Sequence, residues 1–455
     1  DNIVSNIIII DNNTINIAKD GTIRERGNGS RAFPKKPWRI KFDKKQNVLD
    51  APAKVKKWTL INNYGDKTLM RNLVAFEIAR RVGMKWVPWS RPVDVILNGE
   101  YKGCYQLTDQ VEVNPGRLEI TEMEATDITG DALTGGYLFE IDAYASQEPA
   151  GSWFTSTIKQ IPVTIKSPDD GGTAQQLNYI KKYFNNLESK LYSVNFTNPG
   201  TDYRDISDVN SFVQHFIVNE LAGNTDTYWS TYMYKDRLDP IIYTGPVWDF
   251  DLGFDNDGRT YPIHSHAAND FLYRYGGSSA ANNMKWFADR VLKFDTRSKA
   301  DIQRIWSIAR NDHDLSYESL IDYIDEMADE IDESQKLNFV RWPILNSFVH
   351  ENPRALGSFE KEVTAMKDYL KVRFNDLDRL YNYDATISGI DEIITDAESS
   401  IFVSDNMIVN RGDETYAVYT ITGNKIYEGV ESTDRLSSGI YIVVSPAGTF
   451  KVMIK

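Results

Sequence analysis

Two acidic stretches decide how this chain is read: Asn219-Glu220-Leu221-Ala222-Gly223-Asn224-Thr225-Asp226 and Gly245-Pro246-Val247-Trp248-Asp249-Phe250-Asp251. Between them, Thr231-Tyr232-Met233-Tyr234 and Ile241-Ile242-Tyr243 read as two short aromatic strands around a charged turn. The first stretch closes a helix predicted over 207–222, with Phe212, Phe216, Ile217 and Leu221 on one face. Asp226 then follows an apolar helix and Asp249 ends an apolar strand. A helix and the hairpin after it can deliver both carboxylates to one cleft.

Toward the N-terminus the chain reads as β. Strands are predicted over Ile7 to Ile10, Thr14 to Ile17 and Trp38 to Phe42, the last fed by the basic loop Arg24-Glu25-Arg26-Gly27-Asn28-Gly29-Ser30-Arg31. A helix is predicted over 66–83, with Asp66 as N-cap and Gly83 as stop. A hairpin follows, Arg91 to Leu97 and Tyr101 to Thr108, turned by Asn98-Gly99. Two further strands fall at Gly136 to Ile141 and Val163 to Lys166.

Helices dominate from about residue 172: 173–193, 207–222, then 283–311, 315–337 and 355–382, after a Gly-, Asn- and His-bearing loop at 252–282. Strands early and helices late make an α+β pattern. A β-rich lobe over about 1–170 and a helical lobe over about 171–388 would enclose a ligand cleft. From about 398 to 455, short strands return at even spacing, separated by turns such as Thr422-Gly423-Asn424 and Ser437-Ser438-Gly439. That spacing predicts a small β-sandwich. The boundary between the two falls near 386–398.

Composition narrows the function classes. The chain has 455 residues, 41% hydrophobic and 25% charged, an ordinary globular balance. A net charge of −14 argues against non-specific nucleic-acid binding and against docking on anionic membrane. Its one cysteine, Cys104, excludes an internal disulfide framework and lies in an alternating strand, where a buried structural thiol is expected. No apolar run approaches the roughly 20 residues of a membrane helix.

The candidate chemistry sits in three places. In Trp38-Arg39-Ile40-Lys41-Phe42, alternation puts Arg39 and Lys41 on the face opposite Trp38, Ile40 and Phe42. Fed by the loop holding Arg26, Gly27, Gly29 and Arg31, such a strand can aim a lysine at phosphates; the alternative is a solvated strand face with a basic turn. Asp249 and Asp251 stand two apart on one face of an extended segment, the oxygen donors that Mg²⁺ or Mn²⁺ prefers. With Asp226 they have the layout of a phosphoryl-transfer site, one carboxylate for the hydroxyl proton and another for the metal. Elsewhere the polar reading prevails. Asp255 and Asp257 read as a turn rather than a calcium loop, His264 and His266 as a polar loop, and His215 as a helix residue with a local partner. No Walker loop, G-x-S-x-G elbow, H-E-x-x-H or G-x-G-x-x-G is present.

Taken together, the motifs resemble the CotH (spore coat protein H) family of kinases over roughly residues 20–385. The matching stretches are Arg26-Gly27-Asn28-Gly29-Ser30-Arg31 with Phe33 to Phe42, Asp66 with Leu69-Met70-Arg71-Asn72, Leu97 to Gly103, and Gly136 to Asp142. Asn219-Glu220 through Asp226, Tyr232-Met233-Tyr234 and Trp248-Asp249-Phe250-Asp251 complete them. The resemblance implies an atypical bilobal kinase fold moving the ATP γ-phosphoryl group to a protein Ser or Thr with Mg²⁺ or Mn²⁺. It implies Asp226 as the catalytic aspartate and Asp249, with Asp251, as metal ligands; Lys41 would be the phosphate lysine, with Arg39 its rival. One departure stands out: Thr227-Tyr228-Trp229-Ser230-Thr231 holds no asparagine, where a second metal ligand would be expected. A secreted pseudokinase or surface adhesin is therefore the alternative reading. The tail, with Val418 to Tyr427 and Ser438 to Val443, resembles C-terminal sorting domains of proteins secreted by Bacteroidetes-type bacteria. That implies a secreted, cell-surface or periplasmic protein, with its signal peptide outside this sequence. A monomer acting on a protein substrate or surface partner is expected.

Overall fold

The computed structural model describes residues 2–454 except 28, 276–284, 286, 389–390, 393–400, 405, 421–422, 438 and 447. Asn28, the end of the 252–282 loop, the start of the helix expected at 283, most of the 386–398 boundary, Thr422 and Ser438 thus lie outside the described residues. The chain divides into two compact units, Asp1–Ala385 and Thr386–Lys455.

The first unit opens with a six-stranded antiparallel sheet. Its strands are β1 (Ile3–Asp11), β2 (Thr14–Glu25), β3 (Trp38–Asn47), β4 (Lys54–Ile61), β5 (Ser90–Leu97) and β6 (Glu100–Asp109), in the order β1-β2-β3-β4-β6-β5. Alternation works as the sequence predicts along β3. Ile40 and Phe42 turn into a core shared with Trp58, Leu60, Tyr105 and Leu107. The opposite face is basic, with Arg24 directly across from Arg39 and Lys41 across from Lys57.

The helix expected over 66–83 spans Arg71–Val82 (α1). Asp66 caps a tighter turn instead, accepting from the backbone of Thr68 at 2.9 Å and of Arg71 at 2.8 Å. Gly83 ends α1 as expected, at φ 88°.

A second sheet of five strands carries the site. It holds β7 (Tyr137–Asp142), β8 (Trp153–Thr155), β9 (Pro162–Ser167), β10 (Ser230–Lys235) and β11 (Tyr243–Thr244), in the order β11-β10-β7-β9-β8. Phe139, Ile141, Val163, Ile165 and Met233 face the main core. Their strand neighbours Glu140, Asp142, Thr164 and Ser230 interact on the other face.

Helices α2 (Ala174–Tyr192), α3 (Val209–Ala222) and α4 (Ile263–Ala267) come next, then α5 (Ser298–Asp312), α6 (Tyr317–Glu330), α7 (Asp332–Arg341) and α8 (Phe359–Leu380). Two expected helices are interrupted. The one expected over 283–311 breaks at Asp295, whose carboxylate binds Arg204 and Arg297 at 2.9 Å each and so holds the chain in a turn. The one expected over 315–337 divides at Ile331 into α6 and α7.

The second unit contains a five-stranded sheet ordered β12-β18-β17-β15-β16 and a two-stranded one, β13-β14. They comprise β12 (Asp391–Glu392), β13 (Ile401–Ser404), β14 (Met407–Asn410), β15 (Tyr416–Thr420), β16 (Lys425–Gly429), β17 (Gly439–Ser445) and β18 (Gly448–Ile454). Ile401, Ile408, Tyr416, Val418, Val443 and Val452 form its small core. No described helix is long and apolar enough to cross a membrane.

Candidate phosphoryl-transfer site

Helix α3 aims the first aspartate. It stops at Gly223, φ 67°, where a Cβ would also strike Ile263 and Tyr369. Asn224 then ties the two acidic stretches together. Its Oδ1 accepts from the backbone of Asp226 at 3.1 Å, and its Nδ2 donates to the Asp249 carbonyl at 3.0 Å and to Asn219 Oδ1 at 3.2 Å. Behind this turn the buried His215 lies against Asn219 and Thr227; burial lowers its pKa to about 4, so it is a neutral packing partner.

The second aspartate rests on an unusual backbone. Asp249 has φ 66°, a left-handed conformation uncommon outside glycine and associated with functional sites. Neighbours hold it there. Besides Asn224 on its carbonyl, Asn72 Oδ1 of α1 accepts from the backbone of Phe250 at 2.8 Å. Arg71 forms a buried ion pair with Asp66 and donates from Nε to the Gly253 carbonyl at 3.2 Å. Asn256 Nδ2 joins the Asp251 and Gly65 carbonyls at 2.7 and 3.0 Å.

The three carboxylates act on one another. Asp249 keeps solvent contact while protein packs around it; burial, then the charge of Asp226, push its carboxyl up to about 6, against the pull of Arg26 and His350. Asp251 is pushed well above the usual carboxylate range by burial, then by Asp249, Asp226 and Asp66. Burial also raises Asp226, and Arg259 pulls it back. Asp249 and Asp251 lie within hydrogen-bonding reach of each other. Excess negative charge of this kind suits a hard divalent cation. Among the described residues no three His, Cys, Asp or Glu side chains form a metal cage. An ion here would rest on Asp249 and Asp251 and take its other oxygens from phosphate and water, as Mg²⁺ commonly does.

Facing this centre is a patch of unpaired cations. Arg26 lies with its guanidinium 5.7 Å from the Trp248 ring and acts electrostatically on Asp249. Arg24 and Arg39 act on it in turn, and Arg39 Nε is buried without a hydrogen-bond partner among the described residues. None of the three forms an ion pair among those residues. Like charges repel, so three guanidiniums gathered with no ion pair among the described residues leave room for an anion.

The remaining expected residues fall as follows. Lys41 is exposed across from Lys57, which pairs with Glu112 at 3.5 Å and Asp169 at 3.6 Å, whereas Arg26 is among the groups acting on Asp249. Gly27 takes φ 85°, which requires glycine, whereas Gly29 has open space around it. Arg31 is exposed, and its carbonyl accepts from Lys36 at 2.7 Å. Cys104 is buried and its thiol is pushed up to about 12, an inert group. His264 binds Asp376 at 2.7 Å and His266 lies by Tyr275.

Sequence reasoning passed over Asn224, Asn72, Arg259 and His350. Asn224 had a signal, an asparagine two residues before the aspartate whose backbone it accepts from. His350 had none. It comes from the segment after α7, lies edge-on to Phe33 at 5.2 Å, and acts on both Asp226 and Asp249.

A cavity of about 450 Å³ lies elsewhere, between Tyr261, His264, Arg354 and α8, and includes Asp255 in its lining. No curated protein matches the chain. The family described as CotH kinase protein matches residues 23–376, most of its length and every residue of the site just described. This chain belongs to the CotH kinase family.

Proposed function

We propose that the protein is a protein kinase that transfers the γ-phosphoryl group of ATP to a Ser or Thr hydroxyl with the help of Mg²⁺ or Mn²⁺. The observation that carries this reading is the juxtaposition of two unbalanced clusters. Asp226, Asp249 and Asp251 carry negative charge with too little compensation, and Arg24, Arg26 and Arg39 carry positive charge with no ion pair among the described residues. A metal–polyphosphate complex supplies what each lacks, a cation for the acids and an anion for the guanidiniums. Its metal contributes Lewis-acid charge neutralisation.

The chain's own residues do the rest. Arg26 and Arg39 bind phosphate oxygens, and Trp248 backs Arg26. Asp249 and Asp251 hold the cation. Asp226 accepts the hydroxyl proton as the acceptor oxygen bonds to the γ-phosphorus and the bond to the β,γ-bridging oxygen breaks, its electron pair leaving on ADP. Because β7 to β9 share a sheet with β10 and β11, the lobe boundary expected near residue 170 would move. The six-stranded sheet would form the β-rich lobe and the second sheet with its helices the helical lobe, with the second unit a sorting β-sandwich of an exported protein.

The absence of an asparagine after Asp226 favours a second reading, a pseudokinase that binds nucleotide or a surface partner without transfer. Labelled-phosphate transfer from ATP and Mn²⁺ to casein or to the protein itself separates the two. The kinase reading expects transfer by wild type and loss in Asp226→Asn, with Mn²⁺–ATP binding retained in both. Binding without transfer in wild type would leave the pseudokinase.

A further inference from the structure

Arg259 is held against Asp226 by a buried acid. Asp257, with its side chain 2% exposed, accepts from Arg259 backbone N and Nε through Oδ1, both at 2.9 Å, and from Nη2 through Oδ2 at 2.7 Å. Nη2 also reaches Asp226 Oδ1 at 2.5 Å. The turn itself is anchored, since Gly258 donates to the Glu351 carbonyl at 2.7 Å and the neighbouring Asn256 spans Asp251 and Gly65. A fork gripped on one edge by a buried carboxylate has little rotational freedom left. Asp226 Oδ1 is thereby occupied, and Oδ2 has no partner among the described residues.

We propose that Arg259 is a positioning residue for phosphoryl transfer: it fixes the Asp226 carboxylate so that Oδ2 alone faces the acceptor hydroxyl and receives its proton. The proposal rests on the kinase reading above. Arg259 also supplies a fixed positive charge beside the aspartate, in a chain with no asparagine in the residues that follow it. The charged groups that bear on Asp226 are Arg259, Asp257 and His350, and Asp226 in turn acts on Asp249 and Asp251. Of these, Arg259 is the one hydrogen-bonded to it among the described residues.

The test uses the full chain with Arg259→Gln, Arg259→Lys and Asp257→Asn, each checked for an unchanged melting profile. Mn²⁺–ATP affinity is measured by calorimetry and kcat by labelled-phosphate transfer across pH. Arg259→Gln should leave nucleotide affinity within about twofold and lower kcat by about 10- to 100-fold, the scale of a misplaced general base. The acidic limb of its pH profile should move upward, because Asp226 has lost its cation. Arg259→Lys should restore the limb but not the rate, since a point charge cannot grip Asp257 and Asp226 together. Asp257→Asn should lower kcat as Arg259→Gln does without moving the acidic limb upward, since Arg259 keeps its charge but loses its anchor. Wild-type kcat with an unmoved limb would overturn the proposal, and so would nucleotide affinity falling as far as kcat. If wild type shows no transfer, the kinase reading fails separately, and carbon-13 titration of the Asp226 carboxyl still decides on Arg259. An upward shift in Arg259→Gln supports the clamp, and identical titrations overturn it.

Discussion

At the scale of single residues, Asp249 is where the acidic and basic clusters meet. Its carboxyl, at about 6 rather than the ordinary 3.8, binds a proton in the folded state that the unfolded chain has already released. Its contribution to stability in the metal-free protein is therefore greatest below about pH 4 and declines as pH rises through 6. Asp249→Asn removes that penalty, and asparagine accepts the left-handed backbone readily. Calorimetric melting at pH 7 without metal should show the variant as stable as wild type or more so, by no more than about 1 kcal/mol because the group keeps solvent contact. A clearly lower melting temperature would show that the carboxylate has a structural partner. Placement of the cations makes a second prediction. Arg26→Ala should weaken Mn²⁺–ATP binding by on the order of 1–3 kcal/mol, the worth of a charge-assisted hydrogen bond, and Lys41→Ala by much less. Equal losses in direct titration would show that Lys41 binds phosphate as well as Arg26 does.

At the scale of elements, the site depends on how helices end. Gly223 closes α3 with a left-handed backbone in a place where a methyl group collides with Ile263 and Tyr369. Gly223→Ala should cost roughly 1–3 kcal/mol, from strain and overpacking together, measured by urea denaturation. A neutral result would mean that the turn before Asp226 relaxes freely. Elements also show what the sequence could disclose. The hairpin at Asn98-Gly99, α2, α3, α8 and the alternation of β3 were legible, because cap, turn and period act within a few residues. Strand β4 was not: Lys54-Val55-Lys56-Lys57 sets three lysines in four residues, and Trp58, Thr59 and Leu60 are buried in succession, so no period-2 alternation marks it. The early start expected for α1 failed because Asp66 spends its carboxylate on Thr68 and Arg71. Within the site, Asp226, Asp249 and Asp251 were legible from the two acidic stretches. His350 reaches them from a hundred residues away, through packing on Phe33 that no local pattern encodes.

At the scale of the whole molecule, charge is balanced by long-range pairs. Glu220 of α3 and Arg373 of α8 are both 1% exposed and meet at 2.8 Å, and Glu220 also accepts from the backbone of Leu272 and Tyr273. Arg373→Met should destabilise the protein by about 3–5 kcal/mol, since it strands a buried carboxylate; chemical denaturation measures it. Every residue of the candidate site belongs to Asp1–Ala385. The central claim is that these acids and guanidiniums together hold a metal–nucleotide complex. Calorimetric titration of ATP, with and without Mn²⁺, into wild type and Asp249→Ala tests it most directly. The account predicts Mn²⁺-dependent binding to wild type that disappears in Asp249→Ala. No binding to wild type with any divalent metal, or binding indifferent to Asp249, would contradict it.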